Sequence, residues 1–260
     1  MSDPILLSTL EEGIALLTIN REARRNALNS DTLRSLIRHF TDLRNNNDYR
    51  VIVLTGSGDR AFCAGGDLSP GAAAGGLMGL HEDRHLFVDL FETMRHCGKP
   101  IIGRVQAHCL AGGIGLMLAC DIVLASDKAT FGTPEIKRGL FPLMIMALIF
   151  RNVGRKRGME MVLTGDRYTA EEAVSMGLIN RAVPLDELDT AVLQVANKIA
   201  DYSPAILKLG RDAFYSQEDM PFSEALEFLQ AQLTINTLTE DAAEGIRSFF
   251  EKRQPVWKGR

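Results

Sequence analysis

Short apolar runs, alternating or continuous, are separated by helix-like patterns through the first two-thirds of the chain. GIALLTIN (13–20) has the pattern of a strand and closes on a basic turn. SDTLRSLIRHFTDLRNN (30–46) repeats apolar positions at helical spacing behind a Ser/Asp cap, which predicts an amphipathic helix. YRVIVLTG (49–56) is short, β-branched and apolar, the pattern of a buried strand. A loop rich in glycine and alanine, SGDRAFCAGGDLSPGAAAGG, follows it. HEDRHLFVDLFETMRHC (81–97) predicts a helix, KPIIGRVQAHCL a strand, and AGGIGLMLACD a buried helix. IVLASD and ATFGT are further strand candidates.

Beyond about residue 150 the strand signals thin out. Thr169 followed three residues on by Glu172 is a capping-box pattern. Ser203 before Pro204 reads as a cap with proline at the first helical position. The chain is helix-rich from there to 253, and no fixed-period repeat is visible. Strand–helix–strand order early and helices late predict an α/β body with a helical tail.

Composition narrows the function classes. Of 260 residues, 46% are hydrophobic and 24% charged, the balance of an ordinary globular protein with a substantial core. The net charge of −4 argues against a nucleic-acid or anionic-membrane partner. Basic clusters do occur, at Arg21, Arg24 and Arg25, and at Arg151, Arg155, Lys156 and Arg157, the second reading as solvated surface. Cys63, Cys97, Cys109 and Cys120 form no C-x-x-C pair and sit in apolar or glycine-rich surroundings. They read as small hydrophobes in a reducing, cytoplasmic compartment, with no metal site. MSDPILLSTL lacks the charged start of a signal peptide, and no run is apolar and long enough to span a bilayer well.

Three stretches carry candidate chemistry. AFCAGGDL (61–68) and LAGGIG (110–115) each place paired glycines in a turn, the second ahead of a helix. Glycine lets backbone N–H groups approach a ligand, and a helix start favours negative charge. Two such turns can donate one N–H each to an oxygen that becomes an anion, or can simply be tight turns packed closely. Glu135, in FGTPEIKRGLFP, follows Thr133 and Pro134 as the second position of a helix and can merely complement the helix dipole. Facing an apolar patch of Phe141, Leu143, Met144 and Ile145, it would instead be a poorly solvated acid–base group.

AFCAGGDL, VQAHCLAGGIGLMLACDIVLAS, FGTPEIKRGLFP and LTGDRYTAEEAVSMGLINRAVP occur in the order and spacing of the enoyl-CoA hydratase/isomerase (crotonase) superfamily, which the chain resembles over nearly its whole length. NREARRNALN and SFFEKRQPVWKG resemble that family's first loop and last helix. The resemblance implies a crotonase-like spiral of ββα units over residues 1–200 and a helical trimerisation region over 201–260. It implies a homotrimer or a dimer of trimers acting on an acyl-CoA, with no separate cofactor. Gly66 and Gly112 would hold the thioester oxygen of an enolate, and Glu135 would move the proton. Arg24 and Arg25 would lie near the CoA phosphates. Ala64, Asp67 and Leu68 would flank the adenine and pantetheine portions. Lys252 matches a lysine that in some relatives reaches a neighbouring subunit's CoA, and Phe141, Leu143 and Met144 would shape the acyl pocket.

One departure stands out against that resemblance. Family hydratases carry a second glutamate on the helix after the second oxyanion glycine, and the matching position here is Gly115. Hydration needs one group to activate water and another to manage the C2 proton, whereas a single carboxylate can carry a proton from C2 to C4. Isomerisation of 3-enoyl to 2-enoyl-CoA, or another single-carboxylate enolate reaction, is therefore expected. The alternatives are a hydratase with a compensating acid and a non-catalytic acyl-CoA-binding subunit. His81, Asp83, His85 and His108 lie near enough in sequence to be weighed as that acid, and none is preferred. On this reading, restoring glutamate at 115 should raise hydration.

Overall fold

The structure is a computed structural model that describes residues 3–68 and 76–260. The strands are β1 (Ile5–Glu11), β2 (Ile14–Ile19), β3 (Val51–Gly56), β4 (Ala61–Cys63), β5 (Ile101–Val105), β6 (His108–Leu110), β7 (Ile122–Ser126), β8 (Thr130–Gly132), β9 (Arg167–Thr169) and β10 (Arg181–Val183). The helices are α1 (Ser30–Asn45), α2 (Gly76–Arg95), α3 (Gly112–Leu118), α4 (Leu143–Asn152), α5 (Arg155–Thr164), α6 (Ala170–Met176), α7 (Leu188–Ala200), α8 (Pro204–Gln217), α9 (Phe222–Thr237) and α10 (Glu240–Glu251).

From β3 to β8 successive strands alternate between two sheets. The larger runs β1-β2-β3-β5-β7-β10 and the smaller β4-β6-β8-β9. Each turn of the chain gives one strand to each sheet: β3 then β4, β5 then β6, β7 then β8. The first two pairs are each followed by a helix, α2 and α3. This is the spiral of ββα units expected from the family resemblance. KPIIGRVQAHCL is consequently two strands, β5 and β6, in different sheets. The corner between them is held by Gln106, whose buried amide donates to the carbonyls of Gly56 (2.8 Å), Gly58 (3.2 Å) and Ala61 (3.1 Å). Asn26 donates to Ser57 (2.9 Å) and Ala61 (2.7 Å) at the same layer.

Both faces of the larger sheet are covered, so β3 is buried at every residue. Ile14, Val51, Val53, Ile102 and Leu124 pack with Leu188 and Val192 of α7 on one face. Leu17, Ile52, Leu54 and Ile101 face the main core with α1, α2, α3 and the small sheet. β1 carries no strand signal in the sequence reading because its edge position leaves Leu6 and Leu7 exposed. The cap of α1 is Asn29, one residue before the expected Ser/Asp, with its side chain accepting from the Thr32 amide at 3.0 Å. The Thr169–Glu172 capping box and the Ser203 cap with Pro204 form as expected. No helix of the described residues is long and apolar enough to cross a membrane.

The helical tail is latched onto the body. Asp121 accepts from Arg211 Nε (3.1 and 2.9 Å), from the Tyr215 hydroxyl (2.7 Å) and from the Ile101 amide (2.7 Å). The Arg211 guanidinium also donates to the carbonyls of Met94 and Arg95, both at 2.8 Å.

Candidate active site

β4, β6 and β8 run parallel with Cys63, Cys109 and Phe131 in register, so their carboxyl ends lie side by side. The segments leaving those ends are Ala64–Gly66, Ala111–Gly112 and Thr133–Glu135. Three stretches far apart in sequence thereby reach one edge of one small sheet, where α/β folds place their ligands.

The two glycine turns touch. A Cβ on Gly112 would lie 3.4 Å from the Gly66 nitrogen, and one on Gly65 would lie 3.0 Å from the Gly112 nitrogen. Gly65 has φ +96°, open to glycine but not to a side chain, and its Cβ would strike the Ala111 Cβ at 2.6 Å. Leu28 pairs across Gly66, donating to the Gly65 carbonyl and accepting from the Asp67 amide, both at 2.8 Å. That parallel bridge turns the Gly66 N–H to the opposite side. Ala111 adopts φ 53°, ψ −130°, a strained conformation that orients the peptide carrying the Gly112 N–H. Its own amide is anchored on the Gly132 carbonyl at 2.9 Å. Among the described residues no carbonyl accepts from the Gly66 or the Gly112 N–H.

Glu135 sits in a short 3-10 turn, Pro134–Arg138, closed by Gly139 in the left-handed region. Its Oε2 is buried and lacks a hydrogen-bond partner. Burial raises its pKa, opposed in part by its own backbone N–H and by the Arg138 charge. A poorly solvated carboxylate of this kind is a stronger base than an exposed one.

The remaining predicted residues are dispersed. Arg24 and Arg25 are exposed, and the Arg25 carbonyl accepts from the Ala64 amide at 3.1 Å, which ties the basic loop to the first glycine turn. Ala64 is half-buried, Leu68 is exposed, and Asp67 pairs with Arg21 at 2.9 Å. Leu143 and Met144 line a cavity of about 1270 Å³ bounded by α2, α4, α8 and α10, which Phe141 does not line. Lys252 is exposed just past the end of α10, its backbone N–H bonded to the Phe249 carbonyl at 3.3 Å.

His81 and His85 lie on an exposed part of α2, where His85 faces Asp89 at 3.4 Å, and Asp83 faces Arg34 at 3.7 Å. His108 is exposed and shares a hydrogen bond with Thr130 at 2.8 Å. Partial burial, with Arg167 and Arg25 nearby, holds its pKa down. All four cysteines are buried free thiols, and burial pushes Cys63 up to about 12. Among the described residues no group of three His, Cys, Asp or Glu side chains is placed to hold a metal ion.

Sequence reasoning missed a wall beside α3. Phe87 lies 3.4 Å from where a Cβ on Gly112 would be, and Phe91 and Ile145 crowd Gly115. The helical spacing of the two phenylalanines was visible, but not which helix they would meet.

The sequence profile of the enoyl-CoA hydratase/isomerase family matches residues 9–260. The chain is 35% identical to enoyl-CoA hydratase domain-containing protein 3 of Rattus norvegicus, over 98% of this chain and 85% of that one. It is 34% identical to the 2,3-dehydroadipyl-CoA hydratase of Escherichia coli, over 98% and 99%. Among solved structures, an enoyl-CoA hydratase of Mycobacterium smegmatis superposes with a TM-score of 0.94 at 32% identity, covering 98% of each chain. Human enoyl-CoA hydratase domain-containing protein 3 gives 0.93 at 31%, covering 98% of this chain and all of that one. With the paired glycine turns and the buried acid at one sheet edge, the chain belongs to the enoyl-CoA hydratase/isomerase family, on the crotonase fold.

Proposed function

We propose that this protein is an acyl-CoA isomerase, moving the double bond of a 3-enoyl-CoA to the 2-position through a thioester enolate. The Gly66 and Gly112 N–H groups would hold the enolate oxygen, each such donor contributing roughly 3 kcal/mol to the transition state. Glu135 would take the proton from C2 and return it at C4, ending each cycle as it began. The observation that carries this reading is the juxtaposition of two adjacent glycine turns with a buried, unpartnered carboxylate oxygen at the same sheet edge. Arg24 and Arg25 would meet the CoA phosphates. No separate cofactor enters the scheme, and the chains would assemble as a homotrimer or a dimer of trimers.

A second reading is hydration of a 2-enoyl-CoA, favoured by the relatives that are named hydratases. Rates on 2-enoyl and 3-enoyl substrates measured side by side decide between the two. Fast hydration that survives Glu135→Gln would overturn the role of Glu135. A binder without catalysis would leave a deuterium label at C2 in place, so loss of the label from C2 separates that class.

A further inference from the structure

The glycine at 115 is one half of a packed pair. α3 begins at Gly112, and Gly115 lies three residues on, close to the same helix face because three residues turn about 300°. A Cβ on Gly115 would come within 2.4 Å of Ile145 Cγ2, 3.2 Å of Ile145 Cβ and 3.0 Å of Phe91 Cζ. These neighbours come from two other helices, α4 and α2. Ile145 is 2% exposed, whereas Leu143 and Met144 before it are open to solvent, so Ile145 is where the first turn of α4 is keyed onto α3. Phe87 and Phe91, one turn apart on α2, have ring centroids 6.2 Å apart and follow the Gly112–Gly115 face.

We propose that Ile145 and Phe91 decide the outcome of the reaction, by filling the space beside Gly115 with an apolar wall that holds no water near the acyl carbons. This rests on the enolate chemistry proposed above. Hydration breaks a water O–H bond, forms a C3–O bond and delivers the proton to C2, so a water must be held and polarised. A bound water needs two to four polar partners, and a methyl group and a ring edge offer none. Proton transfer from C2 to C4 through one carboxylate needs no such water. On this proposal a glutamate at 115 alone would not raise hydration, because its Cβ would force Ile145 to shift. Truncating Ile145 to alanine removes the 2.4 Å contact and leaves a 3.2 Å one, and Phe91 Cζ is the far end of a side chain that can rotate.

The test compares the wild type with Gly115→Glu, Ile145→Ala and the double variant. It reads thermal melts, hydration of a 2-enoyl-CoA, and loss of deuterium from C2 of a labelled 3-enoyl-CoA, to C4 or to water. The proposal expects Gly115→Glu to melt well below the wild type without gaining hydration. The double variant should melt above Gly115→Glu and hydrate at least about 10-fold faster than Ile145→Ala, since a positioned acid or base contributes about 10²–10⁴-fold. A Gly115→Glu protein that melts as the wild type does, or hydrates as fast as the double variant, overturns it. So does a double variant no better at hydration than Ile145→Ala while loss of the C2 label persists. A C2 label retained in full by the wild type instead overturns the enolate chemistry, whereas the coupling of 115 and 145 in the melts reports the wall by itself.

Discussion

At the scale of single residues, the buried oxygen of Glu135 ties the chemistry to pH. As a base it must be ionised, so kcat/KM falls as pH drops through its raised pKa. The acid limb of the profile is expected above the ordinary carboxylate range, and a limb near 4.5 would contradict the burial. Glu135→Gln should lower turnover about 10²–10⁴-fold. It should also stabilise the fold at neutral pH. The folded protein holds this proton more tightly than the unfolded chain, so the group's contribution is present in acid and lost as pH rises through the raised value. Melting curves should separate variant from wild type at neutral pH and converge in acid. The glycine turns make a second prediction. Gly65→Ala combines φ +96° with a 2.6 Å contact to Ala111 and should cost about 1–3 kcal/mol. At roughly 2–4 °C per kcal/mol the melt reads this directly. A Cβ on Gly66 meets nothing within 4 Å, so Gly66→Ala should melt as the wild type does and show its effect in turnover alone.

At the scale of elements, legibility followed how local each signal was. The capping box at Thr169 and Glu172 and the Ser203–Pro204 start were readable because each is closed by residues three apart. β3 was readable because both of its faces are buried. β1 was not, since an edge strand with exposed leucines has no alternation to show. The break between β5 and β6 was hidden because the chain stays apolar through the corner, and what bends it is Gln106 reaching carbonyls about 50 residues back. The glycine turns and Glu135 were legible as motifs, but their meeting at one edge depends on the register of β4, β6 and β8. The crowding of Gly115 by α2 and α4 depends on helix packing that no spacing announces. A long-range contact of the same kind joins α8 to the body through Asp121. Asp121→Asn keeps the shape but leaves Arg211, whose side chain is 7% exposed, without its charge partner. Breaking a buried pair from one side typically costs about 3–5 kcal/mol. The variant's melt should fall accordingly, and an unchanged melt would mean that Arg211 is held by the Met94 and Arg95 carbonyls alone.

At the scale of the whole molecule, the tail exposes more apolar surface than a solitary chain normally keeps. Phe222, Leu226, Leu229 and Leu233 form one stripe of α9, spaced four, three and four residues apart, and all are exposed. Ile246, Phe249 and Phe250 form another on α10, the two phenylalanines being 78% and 77% exposed. A helix with apolar faces this open needs a partner. The accessible surface of 14057 Å² points the same way for a 28.6 kDa chain, since a compact monomer of that mass presents roughly 11,300 Å². The excess of roughly 2,800 Å² is in the range buried by permanent assemblies. In the proposed trimer these stripes would be covered by neighbouring chains. Sedimentation of the wild type should then give a trimer or hexamer, and Leu233→Glu with Phe249→Glu should shift it to monomer while circular dichroism keeps its helical signal. Both positions are exposed within the chain, so charges there cost the isolated fold little and the shift reports the interface. A wild type that sediments as a monomer at micromolar concentration would show that α9 and α10 are left uncovered in solution.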